Sequence, residues 1–166
     1  MNKRGDINIY KKLEELNIPY EYYEHPPIPT IELAKIHKKN IDATHCKNLF
    51  LRNHKGNKHY FVVIEQSKDV NIRQLELKLK QGKLSFASDK RLKKYLNTKQ
   101  GAVSPLGLIY DSEKNSHLFI DDELKDAEKL SFHPNVDDAS IVLSYSDLIK
   151  LVESIGISWE LIDVKR

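Results

Sequence analysis

Two short apolar segments on either side of a run of turn-forming residues limit how this chain can fold more than any other part of it. Asn48–Arg52 and Tyr60–Ile64 each suit a strand, and His54–Asn57 lies between them. Glycine and asparagine in such a position favour a chain reversal, so the pattern predicts a β-hairpin. The rest of the chain then has to pack around two antiparallel strands.

Capping residues and apolar spacing predict the remaining elements. Residues of types that cap helix N-termini begin five predicted helices, at Asp6, Thr30 (through Lys38), Asn71, Ser88 and Ser146. Glycines end two of these helices, at Gly82 and Gly156. Further strands are predicted at Tyr20–Glu24, Leu84–Ala87, Leu108–Tyr110, His117–Ile120, Ala139–Leu143 and Trp159–Val164, the third and fourth of them as a second hairpin.

The order of these elements indicates the fold class. Hairpins outnumber strand–helix–strand units, which favours an α/β (α+β) fold with a mixed, mostly antiparallel central sheet surrounded by helices. The 166 residues contain no repeat, low-complexity tract or linker. We therefore expect a single domain over residues 1–166.

Composition excludes several classes of protein. Hydrophobic residues make up 40% and charged residues 31%, which is typical of a soluble globular chain. No apolar run approaches the ~20 residues of a membrane span, and Met1–Asp6 is too polar to begin a signal peptide, so a cytoplasmic location is expected. The single cysteine, Cys46, excludes an internal disulfide and a cysteine-only metal site.

Charge is unevenly distributed although its net value is only +3. Between Lys78 and Lys99 there are eight basic residues and one acid, Asp89, and a predicted helix there carries Lys90, Arg91, Lys93 and Lys94. Such a face is suited to phosphates, but an ordinary solvated helix surface has the same composition. Charge alone favours the second interpretation.

Three segments carry residues suited to chemistry. Lys47 opens a predicted strand, where its cation either is solvated or grips a phosphate or sugar oxygen. Gly101–Gly107 holds two glycines and a proline, which predict an irregular loop whose amides can face a developing oxyanion. His133 precedes Pro134 on a predicted loop, where a histidine is either structural or part of a site.

Together these segments resemble the YbaK/prolyl-tRNA-synthetase-associated editing family. The resemblance is closest to its ProX branch, the free-standing alanyl-tRNA(Pro) deacylases. It covers roughly residues 20 to 145 and rests on five motifs in family order: His25-Pro26-Pro27 with Thr30, Lys47–Arg52, Leu84–Ala87, Gly101–Ile109 and His133-Pro134. The resemblance also implies a YbaK-like form of the predicted fold.

The resemblance implies roles for individual residues. Lys47 corresponds to the family's essential lysine, which holds the terminal adenosine of the tRNA. Gly101 begins the GxxxP loop, whose backbone lies against the aminoacyl ester, and His133 corresponds to the pocket histidine beside the amino-acid side chain. The expected catalytic set is therefore Lys47, Gly101 and His133. The expected substrate-binding set is Thr30, Asn48, Ala102, Val103, Ser104 and Pro105, and the expected tRNA-binding set is Lys90, Arg91, Lys93 and Lys94.

The function implied is trans-editing, the deacylation of mischarged alanyl-tRNA(Pro) without metal or other cofactor, helped by the substrate's own ribose hydroxyl. Cysteinyl-tRNA(Pro) deacylation, or a non-catalytic tRNA-binding module with the same fold, are the alternatives. The expected partner is mischarged tRNA(Pro), with transient contact to prolyl-tRNA synthetase or an elongation factor, and neither membrane nor DNA. One departure from the family pattern, Asp137-Asp138 after the histidine loop, adds negative charge near the expected pocket.

Overall fold

A computed structural model describes residues 2–27 and 41–165. One mixed sheet has the strand order β1-β7-β6-β2-β3-β5-β8, and β4 also pairs with β2. The strands are β1 Glu21–Glu24, β2 Thr44–Asn53, β3 His59–Glu65, β4 Leu84–Phe86, β5 Ser116–Asp121, β6 Leu130–Phe132, β7 Ala139–Leu143 and β8 Ser158–Ile162. The predicted helix that begins at Thr30 lies outside the described residues.

The predicted hairpin is the centre of the sheet. β2 and β3 pair antiparallel from Cys46↔Glu65 to Arg52↔His59, which confirms the prediction. β3 is buried along its length except at Glu65. Its alternate side chains enter two hydrophobic clusters, one on each face of the sheet. The larger cluster, which contains Phe50 and Phe61, is called the main core here, and the cluster with Leu51 and Val62 the second core.

Strand pairing confirms the expected mixed sheet. The antiparallel pairs are β1–β7, β2–β3, β2–β4 and β6–β7. The parallel pairs are β2–β6, β3–β5 and β5–β8. Antiparallel pairs are thus in a small majority among the described residues, as the sequence predicts.

The described helices begin at capping residues. They are α1 Ile7–Glu15 after Asp6, α2 Ile72–Leu79 after Asn71, α3 Asp89–Leu96 after Ser88, and α4 Tyr145–Ser154 after Ser144. Two bounds differ from the prediction. α4 is capped by Ser144 rather than Ser146, and α2 ends before Gly82 because Lys80 already adopts the left-handed conformation, at φ +56°.

The predicted second hairpin is wrong. Leu108 and Tyr110 belong to a 3-10 helix, Pro105–Tyr110, and β5 instead lies parallel between β3 and β8. The Ser104 hydroxyl caps this helix by accepting from the Leu106 amide at 3.1 Å, and Pro105 suits its first position. Gly107 allows close packing, since a Cβ there would lie 2.8 Å from the Leu96 carbonyl oxygen.

A buried histidine holds α3 to the β2–β3 hairpin. The His59 ring is fully buried, stacked 5.1 Å from the Phe50 ring. A guanidinium can only donate, so Nε2 of His59 accepts from Arg91 Nη1 at 3.0 Å, and Nδ1 donates to Asn115 Oδ1 at 2.5 Å. Arg91 also donates to the Gly56 carbonyl at 2.9 Å. This arrangement needs an unprotonated Nε2.

We predict that the protein becomes less stable as the pH is lowered, because the folded state resists protonation of His59. Burial, and then the charge of Arg91, lower the pKa of His59, although Asn115 opposes them. Below the unfolded pKa of about 6.5 the unfolded chain gains a proton that the folded protein resists. The free energy of unfolding should therefore decrease below that pH, by at most about 1.4 kcal/mol per pH unit, until the folded pKa is reached.

Urea unfolding at pH 7 and pH 5 measures this effect. His59→Gln should lose part of the pH dependence, whereas His54→Gln, on the exposed turn nearby, should keep it. An equal pH dependence in His59→Gln and wild type would contradict the assignment.

Candidate active site

Lys47 lies on the face of β2 that carries the second core. Cys46 and Phe50 pack with the main core and Leu49 with the second, so alternation places Lys47 on the side of Leu49. Its ammonium donates to the backbone carbonyl of Lys68 and lies 3.5 Å from the Asp69 carboxylate. The Lys47 side chain is 21% exposed, so the cation is accessible yet held in place.

His133 follows β6, which brings it level with Lys47. β6 runs parallel to β2, with His45 beside Ser131. The pairing ends at these two residues, and its register, continued by two more, would set His133 level with Lys47 and on the same face. The Nδ1 atom of His133 donates to the Ala139 carbonyl at 2.8 Å, which fixes the direction of the ring.

Other polar side chains share this face. His25 is 7% exposed, its Nε2 lies 2.8 Å from the Ser140 hydroxyl, and its ring centroid lies 5.8 Å from that of His133. The Ser131 hydroxyl is buried without a hydrogen-bond partner in the described part of the chain. We call this set the polar face: His25, His45, Lys47, Ser131, His133 and Ser140.

Beside the polar face, one stretch of the β2 edge has no partner strand among residues 2–27 and 41–165. β6 occupies this edge up to His45, and β4 occupies it from Leu51. The Thr44 amide and the Phe50 carbonyl both bond across this edge, to Lys129 and Ala87, so alternation directs the backbone groups of Asn48 the same way. The Asn48 side chain turns to the main-core face, and its Oδ1 is buried without a partner among the described residues. We call this stretch the β2 opening.

The 101–105 loop is tightly held. Gly101 has φ +88°, and a Cβ there would meet no described atom within 4 Å, so its backbone conformation and not lack of space calls for glycine. The Ala102 carbonyl accepts from the Thr98 hydroxyl at 3.1 Å. Ala102, Ser104 and Pro105 are buried, and Val103 packs against the main core. The loop is therefore rigid backbone with few side-chain groups to offer.

Asn135 connects the His133 segment to the end of α3, just before the 101–105 loop. Its amide donates to the carbonyls of Leu96, at 2.9 Å, and Asn97, at 3.2 Å, at the end of α3. The 101–105 loop follows four residues later. His133 therefore lies in a segment that is tied to this loop on one side and level with Lys47 on the other. Thr30 lies outside the described residues.

The two acids that depart from the family pattern both have cationic neighbours. Asp137 lies 3.6 Å from Lys99, and Asp138 lies 3.6 Å from Arg4. These pairs are partly exposed, so each contributes little to stability. They do offset the negative charge that the sequence adds near the pocket.

The basic helix is α3. Lys90, Lys93 and Lys94 are exposed, and Lys94 lies 5.1 Å above the Tyr95 ring. Arg91 is half-buried, with its guanidinium on Gly56 and His59, so it joins α3 to the hairpin turn. The expected contact of these four residues with tRNA stays a prediction.

Sequence reasoning missed part of the polar face. Ser131 and Ser140 lie on β6 and β7, and β6 was not predicted as a strand. Only the alternation along a recognised β6 signals that Ser131 faces away from the main core. Within residues 2–27 and 41–165, no group of three or more His, Cys, Asp or Glu side chains is placed to hold a metal ion. No helix in these ranges is both long and apolar enough to cross a membrane.

Comparison with known proteins identifies the family. The model of the aminoacyl-tRNA editing domain matches residues 25–151, a range that contains the polar face, the β2 opening and the 101–105 loop. The chain therefore belongs to the aminoacyl-tRNA editing domain family. This confirms the resemblance of its motifs.

Curated relatives span nearly the whole chain. The prolyl-tRNA editing protein ProX of Acetoanaerobium sticklandii is 41% identical over 157 residues, which cover 94% of this chain and 95% of that protein. Prolyl-tRNA synthetase associated domain-containing protein 1 of Mus musculus is 30% identical over 150 residues, which cover 88% of each.

Solved structures share the fold. A candidate trans-editing enzyme for prolyl-tRNA synthetase superposes with a TM-score of 0.73 at 15% identity, covering 99% of this chain and 100% of that one. The hypothetical protein APE2540 gives a TM-score of 0.69 at 19% identity, covering 93% and 97%. These similarities confirm the expected YbaK-like arrangement of sheet and helices.

We predict that Gly101→Ala strains the loop without a steric clash. A non-glycine residue in the left-handed region costs roughly 1–2 kcal/mol. Gly82 is a matched control, since it has φ +80° and also no atom within 4 Å of a built Cβ. Chemical denaturation should give similar losses of stability for Gly101→Ala and Gly82→Ala. A much larger loss in Gly101→Ala would mean that the loop has no room for a methyl group.

Proposed function

We propose that this protein hydrolyses the ester of mischarged aminoacyl-tRNA in trans and that alanyl-tRNA(Pro) is its substrate. The observation that carries the proposal is the register of β2 and β6, which directs the segment that holds His133 toward Lys47, on the same face of the sheet and beside the β2 opening. Family membership and the name of the ProX relative support the same reaction.

The chemistry needs little from the protein. Water attacks the ester carbonyl carbon, and the bond to the ribose oxygen then breaks to release the amino acid and the tRNA hydroxyl. An aminoacyl ester is already activated, so a placed water and a stabilised oxyanion suffice. In this proposal the amides of the 101–105 loop face the oxyanion, the Lys47 ammonium holds the terminal adenosine, and the ribose hydroxyl positions the water.

Selection of the amino acid is assigned to the walls of the polar face. In this proposal Ser131, His133 and Ser140 line the space that accepts a small side chain, and the hydrogen bond of His133 to Ala139 holds its ring as one wall. A pocket of this kind excludes larger side chains by clash, which is how a second sieve works. Alanine fits such a pocket, and proline is the amino acid to be spared.

Binding of the tRNA is assigned to α3. Lys90, Lys93 and Lys94 are exposed on it, and the helix ends shortly before the 101–105 loop. An RNA strand that enters the site along α3 therefore meets three cations on its way. Phosphate contacts of this kind make binding weaker as salt increases. Contact with prolyl-tRNA synthetase, after which several relatives are named, belongs to the same proposal.

A deacylation assay with alanyl-, cysteinyl- and prolyl-tRNA(Pro) at two salt concentrations tests the function. Hydrolysis of the alanyl ester ahead of the other two, with a KM that rises with salt, is the expected result. Preference for the cysteinyl ester would make cysteinyl-tRNA(Pro), rather than alanyl-tRNA(Pro), the substrate. Binding of all three tRNAs without hydrolysis would establish a non-catalytic module instead.

We predict that Lys47→Ala reduces kcat/KM for alanyl-tRNA(Pro) at least about tenfold, because a hydrogen bond to a charged group contributes about 1.5–3 kcal/mol. Cys46→Ala is the matched control, since Cys46 faces the main core on the same strand. It should retain activity, and thermal unfolding should show both variants folded. Wild-type turnover by folded Lys47→Ala would remove Lys47 from the site.

We predict that His133→Ala changes which ester is accepted more than how fast esters break. Removing a wall enlarges the pocket, and space for one methylene is worth about 1–3 kcal/mol of discrimination. Prolyl-tRNA(Pro) hydrolysis should therefore increase about 10-fold or more relative to alanyl-tRNA(Pro). Rates for both esters across pH are the measurement. An equal loss of rate on both esters, with disappearance of the acid limb of the pH–rate profile, would make His133 a general base instead.

A further inference from the structure

Lys68 is a lysine whose side chain is buried. Only 4% of it is exposed, although lysines are almost never fully buried unless paired. Its ammonium lies 2.9 Å from Asp121 Oδ1, 2.6 Å from the Val164 carbonyl oxygen and 3.3 Å from Glu123 Oε2. Three N–H donors thus meet three acceptors.

Asp121 connects this cation to the sheet. Its side chain is fully buried at the end of β5. Its Oδ2 accepts from the Glu65 amide at 3.1 Å, and its Oδ1 also accepts from the Glu123 amide at 3.2 Å. The ion pair therefore joins the ends of β3 and β5 to the backbone at Val164, two residues after β8.

The backbone of the same lysine holds the site cation. The carbonyl of Lys68 accepts from the Lys47 ammonium, and Asp69 supplies the carboxylate 3.5 Å from it. Lys68 lies in a tight turn after β3, where its amide donates to the Glu65 carbonyl at 3.1 Å. Because the Lys68 side chain holds this turn in place, it also fixes the position of the Lys68 carbonyl that accepts from the Lys47 ammonium.

Stability alone is a weak explanation for such a pair. Desolvation offsets much of the attraction between buried charges, and apolar replacements of a whole pair are often neutral or stabilising. Burial by itself lowers the pKa of Lys68, but Asp121 and Glu123 outweigh it and raise the pKa above its usual value. The Lys68 ammonium therefore stays charged across the physiological pH range, and its three contacts fix geometry more than they add stability.

We propose that the buried Lys68–Asp121 ion pair is a positioning device for Lys47, setting the place of the turn carbonyl that holds the Lys47 ammonium. Lys68 does not touch the substrate in this arrangement and acts only through Lys47. The catalytic part of the inference rests on the proposed function. The structural part, that the pair orders the Lys47 ammonium, stands independently of it.

The variant that tests this removes both charges. Lys68→Met alone leaves the Asp121 carboxylate buried and unpaired, which is strongly destabilising. The double substitution Lys68→Met with Asp121→Asn keeps the side-chain volumes and leaves no buried charge from the pair. Lys12→Met is the control, because Lys12 forms an ion pair with Glu15 on α1 and takes no part in the polar face.

The first measurement is a mutant cycle on kcat/KM for alanyl-tRNA(Pro). The double substitution should lower it about 10- to 100-fold, the effect of a misplaced catalytic group, while Lys12→Met leaves it unchanged. In the Lys47→Ala background the same double substitution should have almost no further effect on the residual rate. An equal additional loss in that background would overturn the proposal, because the pair would then act on the fold and not through Lys47.

The second measurement needs no activity. In protein labelled with 15N-lysine, the ammonium signal of Lys47, assigned by its absence in Lys47→Ala, should exchange slowly with water in wild type and fast in the double substitution. Unchanged exchange would overturn the proposal. If wild type proves inactive on all three tRNAs, the deacylase assignment fails, and the ammonium signal alone decides whether the pair positions Lys47.

Discussion

One edge of strand β2 pairs with β3, and two different strands, β6 and β4, pair with parts of its other edge. β6 takes the first part in parallel and β4 the last part in antiparallel orientation, which leaves the β2 opening between them. The parallel direction matters most. Because β6 and β2 run the same way, the segment after β6 emerges beside Lys47, whereas an antiparallel β6 would deliver His133 to the other end of the strand.

Within the described part of the chain, the polar face carries few charges of its own. Asp137 and Asp138 are paired with Lys99 and Arg4, and Lys68 is paired out of reach of solvent. The accessible cation of the polar face is Lys47, surrounded by imidazole and hydroxyl groups. This economy suits hydrolysis of an activated ester, where placement of groups matters more than strong acids, bases or nucleophiles.

Elements that depend on short stretches of sequence, such as turns and helix caps, could be predicted from the sequence. The β2–β3 hairpin follows from apolar segments around a turn, and Asp6, Asn71 and Ser88 cap helices as predicted. The family motifs likewise pointed to Lys47, Gly101 and His133 as a set. The 3-10 helix at Pro105–Tyr110 was missed because an apolar run of that length also suits a strand, and the close approach of Gly107 to Leu96 decides between them.

Long-range contacts were beyond the sequence. The height of His133 relative to Lys47 along the sheet depends on the parallel pairing of β2 with β6, two segments more than 80 residues apart in the chain. At three residues, β6 is also too short for its pattern to be recognised in the sequence. The burial of Lys68 was equally hidden. Nothing in its neighbours shows that the side chain turns inward, since its partners Asp121 and Val164 come from distant parts of the chain.

The rigid 101–105 loop has a consequence for how such domains diversify. In the proposed mechanism its contributing groups are main-chain amides, which every residue type except proline supplies, while the walls of the polar face are side chains from other segments. Substitutions in those walls can therefore retune which amino acid is accepted without disturbing the atoms that face the ester. One inherited scaffold can thus give rise to a series of editors that differ in cargo and share a reaction centre drawn from the peptide backbone.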